Sequence, residues 1–572
     1  MLDILSEVLL FGLAAALALP VGRYLARVYG NEPTWLDPVL VPLERAFYRL
    51  AGLSPTAPMR WPRYVGALLG INAVWLLWAL VVLLLQDHLP FGNPDHIPAM
   101  TPSQALHTAV SFLTSTNAQH YAGETGAAYF TQLVVFTFLQ FVSAGTSLAA
   151  GLAVVRALGR EDKTGNVGNF YQDLVRSCVR VLLPLCLVFS VLFVVGGVPM
   201  TWEGAAQHTT LEGAASTVAR GPVAAMLAIK ELGSNGGGFF GPNDAHPFEN
   251  PTFFTFALHH LAVLLLPMAF IVMLGYYLRR PRFAALLFAV MTAGLLLLAA
   301  PAVWLEQRGT PALTALGLYP AAGGTQLEGK EVRFGVVPTA SYAALNMAIP
   351  AGTIAGAQDS YVPLAQVPFM LLMQIDAFFG GVGTGFLNMF IYVVIAAFIA
   401  SLMVGRSPEL LGKKVEAPEM QAATLVAVAQ PVVVLASAAL AAWVWASTPQ
   451  ADTTLKWLGN PGAHGFSAML YELISAASGN GSGFGSLGSN TTFWNLLPCL
   501  AMLSGRFVPL IGALLIAAGL LTKTAVPPSA GAIRLDSATF GVLLLVVIGI
   551  LGALLFFPAL TLGPLAEFFG GR

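Results

Sequence analysis

The chain has 572 residues, of which 56% are hydrophobic and only 10% are charged, and its formal net charge is −1. Soluble proteins carry about 25% charged residues, so this composition argues against a secreted domain or a soluble enzyme. The charge balance has no basic excess that would attract the phosphates of a nucleic acid. The chain is therefore predicted to be a polytopic membrane protein.

Ten apolar segments are long enough to cross a hydrocarbon core about 30 Å thick as helices. The first begins near the N-terminus without the basic residues of a cleaved signal peptide, so we expect it to be retained. The predicted spans are 4–22, 64–86, 127–155, 172–197, 253–278, 283–305, 370–404, 421–447, 494–521 and 538–560.

Lysine and arginine are concentrated in alternate loops, whereas loops 87–100 and 448–465 have almost none. The loop 306–335 is a partial exception with three basic residues. The positive-inside rule places the basic loops in the cytoplasm and, after ten spans, both termini on the outer, periplasmic side. The basic loops carry Arg23, Arg27, Arg45, Arg49, Arg60 and Arg63; Arg156, Arg160 and Lys163; Arg279, Arg280 and Arg282; Arg406, Lys413 and Lys414; and Lys523 and Arg534.

One cytoplasmic string, Asp162-Lys163-Thr164-Gly165, resembles the phosphorylated motif of P-type ATPases. That motif requires large soluble domains after it, but here the next apolar span begins about ten residues later. No nucleotide-binding motif occurs elsewhere in the sequence. We therefore interpret Asp162 as part of a solvated turn and expect no ATP hydrolysis by this chain.

Four segments between the spans are too short to cross the membrane, and each combines a short apolar helix with a Gly-, Ser- or Asn-rich stretch. They end around Asn117, Gly236, Gly352 and Gly481, which are separated by 119, 116 and 129 residues. This regular spacing predicts four copies of a helix, a re-entrant pore helix, a loop and a second helix. The expected units are 1–63, a leading helix and loop; 64–165, 166–282, 283–415 and 416–530, the four pore-loop repeats; and 531–572, a final helix.

The chemistry of these loops favours a monovalent cation. Irregular backbone at membrane depth is tolerated where it lines a cavity, and glycine gives that backbone the freedom it needs. Carbonyl oxygens around a pseudo-fourfold axis can replace the hydration shell of K⁺, and the negative C-terminal ends of the pore helices favour a cation. No carboxylate lies in the four loop cores.

Several longer strings carry a specific resemblance that extends from about residue 10 to residue 560. Their matching segments give the chain a clear likeness to the A-subunit family (KdpA) of the potassium-transporting Kdp ATPases, within the superfamily of potassium transporters. The segments are 109–124, 230–251, 379–385, 405–414 and 490–495, together with Tyr29-Gly30 and 36–40.

The resemblance implies an all-α polytopic membrane protein with ten transmembrane helices and four re-entrant pore-loop repeats around a pseudo-fourfold axis. It implies a potassium-binding and translocating subunit of an ATP-driven, high-affinity K⁺ uptake complex in a bacterial inner membrane. K⁺ would enter a filter from outside and leave through a lateral tunnel. A KdpB-like subunit would bind and hydrolyse ATP, with KdpC-like and KdpF-like subunits as further partners. This chain would be non-catalytic, with no organic cofactor and no metal other than K⁺.

The family's filter positions correspond here to three residues in each loop, and Gln119 matches a position beside the first loop. The third loop departs from the family, because Pro350 precedes Ala351 where a Ser-Cys-Gly string is usual, and proline fixes φ and lacks an amide donor. The expected K⁺ filter residues are Ser115, Thr116, Asn117 and Gln119; Ser234, Asn235 and Gly236; Ala351, Gly352 and Thr353; and Gly479, Asn480 and Gly481.

A second departure is Asp376, which stands where the family has Gly-Glu. One interpretation is an intramembrane ion pair between Asp376 and Arg506, since unpaired charges in a membrane are costly. The other is that Asp376 lies in a wet vestibule. Lys230 and Glu231 are expected to be a structural pair that anchors the second pore helix, and the alternative is that they form a gate.

The spacing of His246, His259 and His260 does not predict a metal site. We expect the basic loops mainly to set topology. The segment from Arg406 to Lys414 is a further candidate for contact with an ATPase subunit or with anionic membrane lipids.

Three alternatives differ in class. A stand-alone K⁺ channel or symporter of the Trk/Ktr/HKT type would share the four loops, but the ten spans and the strings above favour the pump subunit. A secondary transporter with broken helices is expected to contain inverted repeats, whereas these repeats share one orientation. An intramembrane enzyme would require paired acids or a nucleophile in the loops, and the sequence has neither.

Overall fold

The computed structural model describes residues 2–89, 91–309, 317, 326–448, 457–525 and 534–570. The loops 306–335 and 448–465, whose charge enters the prediction of orientation, therefore lie partly outside the described residues. The helices are α1 (Leu2–Tyr29), α2 (Asp37–Leu50), α3 (Trp61–Leu85), α4 (Pro102–Leu113), α5 (Gly123–Gly126), α6 (Thr131–Gly159), α7 (Phe170–Val195), α8 (Val223–Leu232), α9 (Phe253–Tyr277), α10 (Pro281–Arg308), α11 (Val336–Ala348), α12 (Pro363–Ile375), α13 (Thr384–Met403), α14 (Ala417–Ser447), α15 (Ala463–Ser478), α16 (Thr492–Leu521) and α17 (Ala538–Gly570).

Ten of the described helices are long and apolar enough to span a membrane, which confirms the predicted number. They are α1, α3, α6, α7, α9, α10, α13, α14, α16 and α17. The helices α6 and α9 are the most buried and form the centre of the bundle, where α1 packs along α9 and α14 packs along α16.

Local sequence explains where several of these helices begin. Thr252 and Thr255 form a capping box at the start of α9, and Glu416 and Glu419 form one at the start of α14. Both boxes satisfy backbone N–H groups that have no partner within the helix. Pro281 occupies the first turn of α10, where its missing N–H costs nothing.

The elements follow the same order four times, as a long helix, a short pore helix, an irregular loop and a second helix, which in the third repeat is divided into α12 and α13. The pore helices α4, α8, α11 and α15 have 12, 10, 13 and 16 residues, too few to cross a membrane. All four are largely buried in the middle of the bundle. The all-α architecture with four re-entrant loops is thus confirmed.

The seventh span differs from the prediction of one helix over 370–404. The chain forms the separate helix α12, bends over residues 376–383, and continues as α13. Asp376, Phe379, Gly381 and Gly383 have φ values of +44°, +63°, +62° and +79° and therefore cannot continue a right-handed helix. Hydropathy alone does not detect this break, because the segment is apolar on average despite Asp376.

Short structures cover the two faces of the bundle. On the basic side, β1 (Met59–Arg60) pairs with β2 (Asn166–Gly168). On the opposite side, β3 (Ala206–Thr209) and β4 (Ala215–Val218) form an antiparallel hairpin with Ala206 opposite Val218 and Thr209 opposite Ala215. Back on the basic side, β5 (Glu409–Leu410) and β6 (Lys413–Lys414) form a second hairpin between α13 and α14.

Charged pairs fasten the basic side to the bundle. Helix α2 is held to α7 by Glu44, which lies 3.3 Å from Arg176 Nε and 3.8 Å from Arg180 Nη1. The Asp162 string forms a turn in which the Asp162 carboxylate accepts the Thr164 backbone N–H at 2.9 Å. The prediction of a turn at this position is therefore confirmed.

Candidate ion-binding site

The four pore helices end with the same hydrogen bond. In each, the backbone N–H of the middle loop residue donates to the carbonyl five residues earlier, a wider turn than the α-helical one. Because all four loops contain this hydrogen bond at the same position, they are structurally equivalent. The bonds are Thr116 to Ser111 at 3.0 Å, Asn235 to Lys230 at 2.9 Å, Ala351 to Asn346 at 3.1 Å and Asn480 to Ser475 at 2.9 Å.

The next residue of each loop has a left-handed backbone, with φ of +55° at Asn117, +68° at Gly236, +61° at Gly352 and +91° at Gly481. We call these four the anchor residues. Glycine adopts this conformation without strain, and asparagine is among the residues that tolerate it best. The identity of the four anchors is therefore dictated by the backbone.

Each anchor lies against the middle carbonyl of the following loop, which closes a ring. A β-carbon added to Gly236 would lie 1.6 Å from Ala351 O, and one added to Gly352 would lie 1.9 Å from Asn480 O. The same addition at Gly481 would lie 1.9 Å from Thr116 O. At the fourth junction the Asn117 side chain donates from Nδ2 to Asn235 O at 2.9 Å.

The ring separates two cavities. A wide vestibule of about 510 Å³ lies on the side opposite the basic loops and is lined by Asn117, Gly237, Gly352 and Gly481. A small cavity of about 20 Å³ lies below the ring, and we call it the inner cavity. Equivalent positions of all four loops line it, namely Ser115, Ser234, Pro350 and Gly479. The structure thus brings the predicted filter loops together around one passage.

The amide side chains of the loops support the ring from behind. Asn235 donates from Nδ2 to Gln140 O and Ile229 O, both at 3.2 Å, and Asn480 donates to Asn346 O at 2.9 Å. Gln119 exchanges two hydrogen bonds with the backbone of Gly238, at 2.7 and 3.1 Å, and so joins the first loop to the second. These amide side chains hold the ring in place, and the backbone oxygens of the ring remain able to contact an ion.

The side-chain hydroxyls of Ser234 and Thr353, both near the passage, differ in their hydrogen bonding. Ser234 Oγ is buried and lacks a hydrogen-bond partner within the described part of the chain. Thr353 Oγ1 instead donates to Glu231, with distances of 3.3 and 3.4 Å to its two carboxylate oxygens. Of the two, the Ser234 hydroxyl is available to an ion in the inner cavity.

Asp376 and Arg506 both line the inner cavity but do not form the direct ion pair that the first interpretation expected. Arg506 donates to Ser143 O at 2.6 Å and to Thr384 Oγ1 at 3.2 Å, while Asp376 Oδ2 accepts from Asn388 at 2.7 Å. Neutral groups hold both side chains, and no direct ion pair joins them in the described part of the chain, although they lie close enough to interact electrostatically. The pairing of Asp376 with Arg506 therefore stays a prediction. Asp376 Oδ1 is buried without a hydrogen-bond partner among the described residues.

A buried charged cluster behind the second loop is larger than the predicted Lys230–Glu231 pair. The Lys230 ammonium donates to Asp244 Oδ1 at 2.6 Å and to Glu249 Oε2 at 2.7 Å, and lies 3.6 Å from Glu231. His259 Nδ1 lies 3.1 Å from both Glu231 Oε1 and Asp244 Oδ2. Sequence spacing did not reveal this cluster, although the run of charged residues in an apolar region was a signal.

The ligand atoms of Glu231, Asp244 and His259 lie within 4.8 Å of one another, close enough to hold a metal ion. The Lys230 ammonium already lies among these carboxylates and donates to Asp244, however, and hydrogen bonds and close contacts already link all three groups. His246 stacks on Phe240 and His260 approaches Glu7 at 3.1 Å, so the three histidines do not converge. We interpret the cluster as a structural tie between the second and third loops through Glu231 and Thr353.

A second small cavity of about 40 Å³ shares Gly505 with the inner cavity and lies between α12, α13, α14 and α16. Gln374 lines it, and both amide atoms of this buried side chain lack hydrogen-bond partners within the described residues. Gln430 Nε2 lines it in the same unpartnered state. A polar cavity inside an apolar bundle requires water or an ion to satisfy such groups.

Comparison with known sequences gives a consistent result. The family model described as potassium-transporting ATPase A subunit matches residues 8–569. The potassium-transporting ATPase potassium-binding subunit of Flavobacterium psychrophilum is 45% identical over 572 residues, covering 99% of each chain. The protein of the same name from Alicyclobacillus acidocaldarius is 44% identical over 553 residues, covering 96% of each chain.

A solved structure shares the fold. The potassium transporter TrkH from Vibrio parahaemolyticus aligns with a TM-score of 0.50 over 90% of this chain and 98% of its own. Its sequence identity is 13%, so the likeness concerns the arrangement of helices. It agrees with the all-α bundle.

Proposed function

The chain belongs to the family of potassium-transporting ATPase A subunits, and on this premise we propose that it binds and translocates K⁺ within an ATP-driven, high-affinity uptake complex. The observation that carries the proposal is the closed ring of four loops whose anchors lie against the carbonyls of their neighbours. Such a ring offers neutral oxygens in fixed positions, which suit a monovalent cation that must bind and then leave.

The filter residues proposed for K⁺ are those of the four loops. Hydrated K⁺ would enter the vestibule and exchange its water for backbone oxygens at the ring. The C-terminal ends of four pore helices point towards this region and favour a positive charge there. Asn117, Gln119, Asn235 and Asn480 would act indirectly by holding the ring, since their side chains bond to protein groups.

The exit route proposed for K⁺ begins in the inner cavity. There the buried Asp376 carboxylate and the Ser234 hydroxyl offer oxygens that lack a hydrogen-bond partner within the described residues. The adjoining cavity around Gln374 and Gln430 continues sideways between helices and supports a lateral path towards a partner subunit. Arg506, which also lines the inner cavity, would repel a second cation below the ring.

We propose a division of labour between this chain and its partner subunits. ATP hydrolysis is assigned to a KdpB-like subunit, with KdpC-like and KdpF-like subunits completing the complex, while this chain is non-catalytic and carries K⁺ as its transported ligand. The relatives' name, potassium-binding subunit of a potassium-transporting ATPase, supports this assignment. The proposed location is a bacterial inner membrane with both termini outside.

Growth of a K⁺-uptake-deficient bacterial host on micromolar K⁺ tests the proposal. We expect rescue when this chain is expressed with its ATPase partner subunits and no rescue when it is expressed alone. Rescue by this chain alone would contradict the pump-subunit assignment and favour the stand-alone channel or symporter.

A matched pair of variants tests the filter. Gly236→Asp should abolish discrimination for K⁺, because its side chain would collide with Ala351 O and place a carboxylate at the ring. Gly213→Asp makes the same change at another left-handed glycine with no atom within 4 Å, and should leave growth intact. Detergent-solubilised yield and size-exclusion profile identify any variant that has merely failed to fold.

A further inference from the structure

A cavity of about 460 Å³ opens on the basic side of the bundle, outside the proposed ion path. Three segments meet there: the turn between α9 and α10, the end of α13, and the residues that precede α17. Its volume lies within the range of about 300–1,000 Å³ typical of small-molecule sites. The cavity, which we call the basic cavity, is lined by five arginines, Arg279, Arg280, Arg282, Arg406 and Arg534.

The positive charge of the basic cavity is only partly compensated. Two carboxylates, Glu409 and Asp536, also line it, and Asp536 already pairs with Arg534 at 3.1 Å. Among the described residues, Arg279 and Arg280 make no ion pair, although they are adjacent in sequence and share the cavity with Arg282. Even with Arg406 left out of the count, four guanidinium groups face two carboxylates, and this excess of positive charge attracts an anion.

The basic cavity also has an apolar wall and lies at the edge of the membrane-spanning region. Phe283, Val404 and Leu411 contribute to its lining. At the adjacent end of α13, the side chains of Leu402 and Met403 are 56% and 73% exposed, which suits contact with acyl chains. A ligand of this cavity therefore meets both cationic and apolar groups.

We propose that the basic cavity binds the phosphate headgroup of an anionic phospholipid from the leaflet on the basic side. Guanidinium groups recognise phosphate through paired hydrogen bonds, and basic pockets between membrane helices suit such headgroups. The apolar wall and the neighbouring exposed side chains favour a lipid over free phosphate, which would use the arginines alone. An acidic segment of a partner protein would pair with the arginines but would make no contact with the exposed apolar side chains at the end of α13.

The test compares lipid retention by the purified full-length chain and by a triple variant. Arg280→Gln, Arg406→Gln and Arg534→Gln remove one arginine from each of the three segments. The control is Arg45→Gln, Arg49→Gln and Arg63→Gln, which removes equal charge from the same side of the bundle at exposed positions outside the cavity. Native mass spectrometry then follows the binding of phosphatidylglycerol and of zwitterionic phosphatidylethanolamine.

We expect retained phosphatidylglycerol in the wild type and the control variant, and weaker binding in the cavity variant by roughly fivefold for each arginine removed. Phosphatidylethanolamine binding should not change. Equal phosphatidylglycerol binding in both triple variants would overturn the proposal. Displacement of the lipid by millimolar inorganic phosphate would also overturn it and would indicate a soluble anion. In a parallel co-expression with the partner subunits, loss of those subunits from the cavity variant with unchanged lipid binding would overturn it as well and would indicate a protein interface.

Discussion

The third pore loop and the other three reach the same ring by different turns. Loops one, two and four enter it through Ser115, Ser234 and Gly479, whose φ values of +67°, +49° and +79° are left-handed. The third loop has Pro350 at that position, and proline is confined to negative φ. Its anchor Gly352 nevertheless has φ of +61° and lies against Asn480 O like its counterparts.

This difference shows which features of the loops the ring requires and which of them can vary. The helix-closing hydrogen bond and the left-handed anchor occur in all four loops, whereas the turn before them varies. The third loop also has a tie of its own, because Thr353 donates to Glu231 of the charged cluster behind the second loop. The ring is therefore defined by its junctions, and the charged cluster steadies the loop that turns differently.

The largest expected effect comes from removing the Lys230 ammonium from the charged cluster to which Thr353 is bound through Glu231. Lys230→Met keeps the length of the side chain but leaves Glu231, Asp244 and Glu249 buried without their ammonium partner. Loss of one partner from a buried charge pair costs about 3–5 kcal/mol, so the variant should be markedly destabilised. Thermal unfolding and folded yield in detergent measure this, with the exposed Lys163→Met as control. An unfolding midpoint equal to that of the control would show that the cluster does not support the loops.

A smaller effect is expected from Gly352→Ala, which tests whether the third loop is a full member of the ring. The added methyl group would meet Asn480 O, and overpacking of this kind costs about 1–3 kcal/mol. K⁺ affinity in the uptake assay should fall by a similar factor for Gly352→Ala and for Gly236→Ala, since both added methyl groups would collide with a ring carbonyl. Gly213→Ala, at an open left-handed position, is the control. If Gly352→Ala transports normally while Gly236→Ala does not, the third loop is not equivalent to the second.

The smallest effect is expected from Pro350→Ser, which gives the third loop the residue type of the first two. The structure predicts that the ring depends on its junctions, so K⁺ affinity should stay within about twofold of the wild type and stability should change by less than about 1 kcal/mol. Competition of Na⁺ or Rb⁺ with K⁺ uptake provides a second measurement. A tenfold loss of affinity would mean that the turn itself shapes the filter.

Much of this architecture could be predicted from the sequence because membrane proteins impose strong constraints. Apolar length gave the number of spans, and the spacing of Asn117, Gly236, Gly352 and Gly481 gave the four loops. The break at Asp376 was missed because hydropathy measures polarity and does not sense left-handed residues. The run Gly380-Gly381-Val382-Gly383 was the available signal.

The candidate site was predictable in its backbone and less so in its side chains. Glycines at regular positions report a backbone requirement directly, so the anchors could be named. Hydrogen-bond partners depend on three-dimensional proximity, which explains why Asp244 and Glu249 were not foreseen as partners of Lys230. For the same reason the sequence could not show that Asp376 and Arg506 bond directly to the nearer groups of Asn388 and Ser143.

The junction at Asn117 has a consequence for how such a ring can change. In a channel assembled from four identical subunits, any substitution at the ring is repeated four times, so a single gene change alters every wall at once. Here one polypeptide supplies all four walls, and one junction already uses a side-chain amide where the others use bare α-carbons. A mutation can therefore change one loop of the ring and leave the other three unaltered, so that ion affinity changes in smaller steps than in a symmetric homotetramer.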